Sequence, residues 1–264
     1  MVNTMQQQAS VHPTTQKRFD EDGVALIPSG IDTDAIERLR KAVDRTLTQP
    51  TNYFDHVRIW EDDQDCAWYC LESPIPALAA TLLKSSKINL LFDQIFAKEA
   101  GAPHTPWHND QPYWPIRGWP VMTVWLALDE VTTDSGALEF ICGSHLWNRW
   151  FQPFDDGEDG SSRGVYQFNP EYEPLPDFDT QRERYQILSW PMNPGDILVF
   201  HGLTVHGARA NRTPQQRRRG YAVRYAGKGT TYFKSLGMNP QLFNDQLSPG
   251  DPLDSVQYPV AYED

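Results

Sequence analysis

Apolar positions along the chain fall into two textures. Between Asp32 and Leu47, the residues Ile36, Leu39, Val43 and Leu47 recur at helical spacing, with Arg and Lys on the other face. A helix capped by Asp32 or Asp34 is therefore predicted. A shorter helix is predicted around Ile75–Leu83, and Phe19–Pro28 reads as a turn followed by a short strand. Beyond Ser85 the apolar runs shrink to strand length, each closed by Pro or Gly: Ile88–Phe96, Val121–Leu128, Ala137–Cys142, Ile197–Phe200 and Tyr221–Tyr225. No helical pattern long enough for β-α-β alternation intervenes, so the pattern predicts a mainly β sandwich or barrel with flanking α-helices. Residues 1–15, polar and rich in Gln and Thr, read as a flexible tail. Residues 153–182 form a long polar insertion, acidic at Asp155, Asp156, Glu158 and Asp159, of the kind that serves as a lid. No internal repeat is evident, and 1–264 reads as a single domain.

Composition narrows the function classes. The formal net charge of −12 argues against a nucleic-acid or anionic-membrane surface, which needs a basic face. Three cysteines, Cys66, Cys70 and Cys142, read as reduced thiols rather than a disulfide framework. No apolar run approaches membrane-spanning length, and the first residues carry no apolar signal core, so a cytoplasmic location is expected. The nine Trp and eleven Tyr suit both a core and the wall of a small-molecule pocket.

The chemistry concentrates in the histidines. Of seven, only His108 has an acid two residues on, in His108-Asn109-Asp110. On a strand, positions i and i+2 project from one face, so this imidazole and carboxylate can chelate one metal. The doublet alone is a weak signal, since a hydrogen-bonded surface pair looks the same. Its context strengthens it. About a hundred residues on, the turn-and-strand segment Pro194–Gly207 ends in two further histidines, His201 and His206. Two nitrogens and one oxygen on one face, with open positions opposite, is the ligand set of non-haem iron(II) oxygenases. The following strand opens with Arg217, Arg218 and Arg219, and an arginine there suits the distal carboxylate of 2-oxoglutarate.

These segments together resemble the phytanoyl-CoA dioxygenase (PhyH-like) family of iron(II)/2-oxoglutarate oxygenases. The resemblance is carried by Thr105-Pro106-Trp107-His108-Asn109-Asp110-Gln111-Pro112-Tyr113-Trp114, by Val124–Asp129, by Ser135–Phe140 with Gly143-Ser144-His145, and by His206 with the arginine segment. It runs from Phe19-Asp20-Glu21-Asp22-Gly23 to about Gly227. It implies a double-stranded β-helix (jelly-roll) core with flanking helices. It further implies His108, Asp110 and His206 as iron ligands, with His201 the rival third ligand. It points to Arg218 as the cosubstrate arginine, with Arg217 the alternative because counting from His206 fits either, and the other arginines of the run are expected to be solvated. Thr105 and Trp125 match positions lining the cosubstrate cavity, though a strand hydroxyl and a core tryptophan would look the same. Lys98, on a preceding strand, could face that cavity.

The implied activity uses Fe(II), 2-oxoglutarate and O2 to oxidise, by default hydroxylate, a small organic substrate such as a natural product or amino-acid derivative. A halogenating outcome would need the carboxylate position vacated, and Asp110 fills it. The alternative is a cupin-like metal-dependent isomerase or hydrolase on the same jelly roll, which needs no anchoring arginine. The expected assembly is a monomer or homodimer.

Overall fold

The computed structural model describes residues 11–48, 56–153 and 166–264. At its centre is an antiparallel sheet of six strands in the order β1 (Val24–Ile27), β8 (Ile197–His201), β5 (Val121–Ala127), β10 (Arg218–Gly227), β2 (Lys87–Lys98) and β12 (Val260–Glu263). A second sheet has the order β3 (Thr105–His108), β9 (His206–Ala208), β6 (Leu138–Ile141) and β7 (Ile187–Leu188). A two-stranded ribbon pairs β4 (Ile116–Arg117) with β11 (Thr231–Tyr232). The two larger sheets pack face to face through Trp125, Leu198, Phe200 and Ala222 on one side and Leu138 and Phe140 on the other. This is the jelly roll that the sequence implies.

The helices α1 (Pro13–Asp22), α2 (Thr33–Leu47), α3 (Gln64–Leu71) and α4 (Ile75–Leu82) cover the outer face of the six-stranded sheet. That cover explains the unbroken apolar runs. In β5, Met122, Val124 and Leu126 pack under the helices, while Trp125 and Ala127 face the second sheet, so all seven residues are buried. A strand buried on both faces loses the polar alternation of a half-exposed one.

Three local readings differ from the structure. Residues 13–15, expected in the tail, open α1: His12 caps it by accepting from Thr14 N at 3.3 Å, Pro13 sits in its first turn, and Phe19 is buried. The turn-and-strand reading of Phe19–Pro28 therefore begins four residues too early, and Gly23, at φ 80°, makes the exit from helix to strand. Residues 1–10 lie outside the described residues. Helix α3 has only eight residues and no clear apolar stripe, which is why periodicity misses it; Asp63 caps it, and Cys66 and Cys70 are buried in it as free thiols. Of the expected lid, 154–165 lie outside the described residues. Of the rest, Asn169, Tyr172 and Phe178 are buried and Phe151 bridges to Glu173, while Phe168 and most of the charged residues are exposed.

A buried acid sits between helices and sheet. Asp93 on β2 is fully enclosed, accepting from the Tyr221 hydroxyl and from Trp60 N. Burial pushes its carboxyl up to about 7, while the Tyr221 hydroxyl and the charge of Arg224 pull the other way. A carboxyl whose folded pKa is raised loses stability as pH climbs from its unfolded value, near 4, to about 7. Relative to Asp93→Asn, the wild type should therefore gain on the order of 2–4 kcal/mol between pH 8 and pH 4.5. Denaturant unfolding of both proteins at the two pH values measures this, and parallel pH profiles would contradict it.

Candidate active site

Strand pairing builds the site. His108 ends β3 and His206 begins β9, and the two are direct cross-strand partners. Directly opposed residues hold their side chains within reach of each other, and these imidazole centroids lie 4.3 Å apart. Asp110 arrives differently from the pleat argument. β3 stops at His108, and Asp110 sits past its end with φ −75° and ψ −41°, opening a short 3-10 turn at Gln111–Tyr113. The chain turns, and the turn aims the carboxylate back at both rings.

The donor atoms converge. Asp110 Oδ1 is 3.5 Å from His108 Nε2 and 3.7 Å from His206 Nε2. Atoms sharing an ion at metal–ligand distances of about 2.1 Å cannot lie more than about 4.2 Å apart, so both spacings suit a common ion. Among the described residues this is the only group of three such side chains. Each ring is oriented from behind in the same way. His108 Nδ1 donates to the Pro106 carbonyl at 2.9 Å, and His206 Nδ1 donates to the Thr204 carbonyl at 3.0 Å. A carbonyl can only accept, so each Nδ1 carries a proton, and Nε2 is the ring nitrogen turned toward Asp110.

Electrostatics agree with a metal-binding protonation state. Burial alone would raise the Asp110 carboxyl, but His206, the hydrogen bond with His108 and the charge of Arg224 outweigh it and hold it well below the usual range. Burial pushes His206 down to about 4, with His108 adding to the effect, so its imidazole is neutral at pH 7. A carboxylate at Asp110 and a neutral imidazole at His206 result.

Thr123, on β5, donates from Oγ1 to Asp110 Oδ2 at 2.9 Å. That bond occupies one carboxylate oxygen and leaves Oδ1 for the histidines. Thr123→Val, nearly isosteric, removes the bond, and partners of this kind support metal affinity by about 10- to 100-fold. The variant should bind iron(II) more weakly by that order while folding normally. Competition against a calibrated chelator tests this, and unchanged affinity would show that the bond is dispensable.

The arginine run separates cleanly. Arg217 is exposed and pairs with Glu99 at 2.5 Å. Arg219, expected to be solvated, instead holds Asp129 and Asp44 on the helix side, each at 2.8 Å. Only Arg218 turns inward. It is 2% exposed, its Nη2 donates to the Gly136 carbonyl at 3.1 Å, and its guanidinium lies 5.3 Å from the Trp125 ring centroid. Trp125 pairs with Ala222, and its ring lies over the diagonal neighbour Gly220, where a Cβ would stand 2.1 Å from it. Thr105, Trp125, Arg218 and the His108–Asp110–His206 group line one cavity.

His201, the rival third ligand, is not part of the group. It ends β8, donates to the Trp119 carbonyl at 2.7 Å and accepts from Leu203 N at 3.1 Å. Sequence reasoning missed Thr123 and Arg224, both of which line the cavity, and set Lys98 aside although it lines it too. For Arg224 a signal existed, since it lies an even six residues beyond Arg218 on one strand; the pairing of Lys98 with Arg218 came only with the structure.

Against known proteins, the family model described as Phytanoyl-CoA dioxygenase (PhyH) matches residues 19–220. A probable phytanoyl-CoA dioxygenase of Caenorhabditis elegans is 30% identical over 109 residues, 41% of this chain and 32% of that one. The multifunctional dioxygenase prhA of Penicillium brasilianum is 24% identical over 230 residues, 78% of this chain and 69% of that one. The chain thus spans about a third of the nematode relative's length and about two thirds of the fungal one's. Among solved structures, SnoK, a non-heme alpha ketoglutarate dependent carbocyclase from nogalamycin biosynthesis, superimposes with a TM-score of 0.74 at 21% identity. That match covers 98% of this chain and 99% of SnoK and speaks for the fold. With a family match running from α1 into β10, across both strands that carry the histidines, the chain belongs to the phytanoyl-CoA dioxygenase (PhyH) family.

Proposed function

We propose that this chain is an iron(II)- and 2-oxoglutarate-dependent dioxygenase that oxidises, most simply by hydroxylation, a small organic substrate. The observation that carries this reading is the two back-braced imidazoles meeting one carboxylate oxygen in a cavity that also holds a buried arginine. The residues fit both groups the family implies. His108, Asp110 and His206 supply the two-nitrogen, one-oxygen set suited to iron(II) and leave positions open. Arg218, with its planar fork above Trp125 and beside Thr105, suits a carboxylate.

When bound, iron(II) and 2-oxoglutarate supply oxygen activation coupled to decarboxylation of the cosubstrate to succinate, with the oxidising power directed at a substrate C–H bond. The protein's part is orientation and exclusion of water. Thr123 fixes which Asp110 oxygen faces the histidines. Phe140 and Phe200 pack against His206, with ring centroids 5.7 and 4.7 Å away, and keep its side of the site dry. His108 is the more exposed histidine. Tyr113 stands edge-on to it at 6.0 Å and Tyr166 edge-on to Tyr113 at 5.1 Å, so this aromatic pair borders the approach of substrate.

We take the whole chain as one catalytic domain, a monomer or homodimer working in the cytoplasm. Its thiols at Cys66, Cys70 and Cys142 are free, and no helix among the described residues is long and apolar enough to cross a membrane. SnoK's place in nogalamycin biosynthesis favours a natural-product-like substrate.

Anaerobic titration of the iron(II)-loaded protein with 2-oxoglutarate tests the reading. A visible metal-to-ligand charge-transfer band should grow to saturation, and succinate should form once oxygen is admitted. A fully metal-loaded protein that develops no band would favour the cupin-like alternative.

A further inference from the structure

The inner face of β10 carries two arginines. Side chains alternate along a strand, so Arg218, Gly220, Ala222 and Arg224 share the side facing the second sheet. Six residues correspond to about 20 Å of backbone, so the two arginines enter the cavity they both line from different stretches of β10. Register identifies the neighbours of each. Arg218 pairs with Lys98, whereas Arg224 pairs with Phe92 on one side and Thr123 on the other. Because Thr123 holds Asp110, the metal-ligand group lies at Arg224's stretch of β10.

Arg224 is 4% exposed, and its guanidinium carbon lies 4.7 Å from the Phe92 ring centroid and 5.3 Å from that of Phe96. Phe92 belongs to the same apolar cluster against which Tyr113 packs, on the side from which substrate approaches. This is a guanidinium in a dry aromatic bed beside the reaction centre.

Charge makes the case sharper. The charged side chains lining the cavity, apart from the histidines, are Lys98, Arg218, Arg224 and Asp110, three cations against one carboxylate. A divalent metal and a dianionic cosubstrate cancel each other, so loading the site leaves the excess of positive charge in place. Asp93, the other acid that feels Arg224, faces the helix layer and the Tyr221 hydroxyl, and burial holds it partly protonated near neutral pH. Positive charge in a water-poor cavity is stabilised by a bound anion.

We propose that Arg224 binds an anionic group of the substrate, so that the enzyme acts on a small carboxylate whose reacting carbon lies between that group and the metal. This rests on the oxygenase reading, and the two can fail separately.

The test uses the full chain loaded anaerobically with iron(II) and 2-oxoglutarate. The probes are matched acids and primary amides: 3-phenylpropanoate with 3-phenylpropanamide, and indole-3-acetate with indole-3-acetamide. Binding is read by paramagnetic broadening of the probe's NMR signals, without turnover. At least one acid should bind about tenfold or more tightly than its amide. Arg224→Met should abolish that preference, and Arg224→Lys should keep most of it. Both variants should still give the 2-oxoglutarate charge-transfer band at saturation, which shows that the metal and cosubstrate site is assembled. No acid bound above its amide, or a preference that survives Arg224→Met, overturns the assignment. Should the wild type give no band, the cosubstrate reading falls, while the acid-amide comparison on metal-loaded protein still decides the role of Arg224.

Discussion

Replacing Arg218 with methionine is expected to weaken 2-oxoglutarate binding by about 100-fold or more. Truncating one partner of a buried, hydrogen-bonded charge pair costs about 2–5 kcal/mol, and each 1.4 kcal/mol is a factor of about ten. Arg218 meets the conditions for that cost, being 2% exposed and set between Trp125 and the Gly136 carbonyl. Gly136 has φ 95°, a conformation that brings its carbonyl to the guanidinium and that other residues adopt only with strain. Methionine is similar in length and fills the cavity, so the fold should tolerate the change. Arg217→Ala serves as the control, because Arg217 is exposed and engages only Glu99 on the surface. Its effect on affinity should stay within about twofold, in keeping with the small value of exposed ion pairs. Arg219→Ala should separate stability from affinity. It removes ion pairs to Asp44 on α2 and to Asp129 just past the end of β5, and should lower the unfolding midpoint while leaving the charge-transfer titration unchanged. If Arg217→Ala weakens the cosubstrate and Arg218→Met does not, the anchor has been assigned one residue out of register.

The second large effect concerns the two downstream histidines. His206→Ala removes one of three ligands, and the variant should retain little iron after desalting, measured by a colorimetric iron assay. His201→Ala should keep its iron. His201 is buried, and its side chain bridges Trp119 and Leu203. Losing two buried hydrogen bonds and leaving a cavity should cost roughly 2–3 kcal/mol of stability. The two variants should therefore divide on metal: both lose some stability, but only His206→Ala loses its iron while His201→Ala retains it. Iron loss in His201→Ala at a temperature where it is fully folded would reverse the assignment.

How far the sequence led differs from element to element. Helix α2 was legible, with its cap narrowed to Asp32 or Asp34 before the structure showed Asp32, because a solvent-facing helix writes its burial as a 3.6-residue period. The strands β2, β5, β8 and β10 were legible as apolar runs, because they are covered on both faces. Helix α1 was not, since its fit depends on packing one aromatic, Phe19, rather than on a stripe. At the site, His108, Asp110 and His206 were singled out as a set, but the reason offered for the first two was the strand pleat. The chain instead leaves β3 after His108 and turns, and that turn is held by the Gln111 N to Gly202 O bond, a contact across ninety residues.

By itself the sequence determined the ligand chemistry, the family and the alternation of strands and turns, because those depend on residue type and local spacing. The resemblance already put His206 ahead of His201 and Arg218 ahead of its neighbours. Tertiary structure added that His206 meets Asp110 while His201 turns to Trp119, and that Arg218 turns inward while Arg217 and Arg219 engage Glu99, Asp44 and Asp129. It also recruited Thr123 to Asp110 and placed Arg224 in the same cavity as Arg218. The physical reason is common to all of these. Adjacent residues on a strand face opposite layers, and which layer is the interior depends on the register with neighbouring strands, here β5 and β2, that lie far away along the chain.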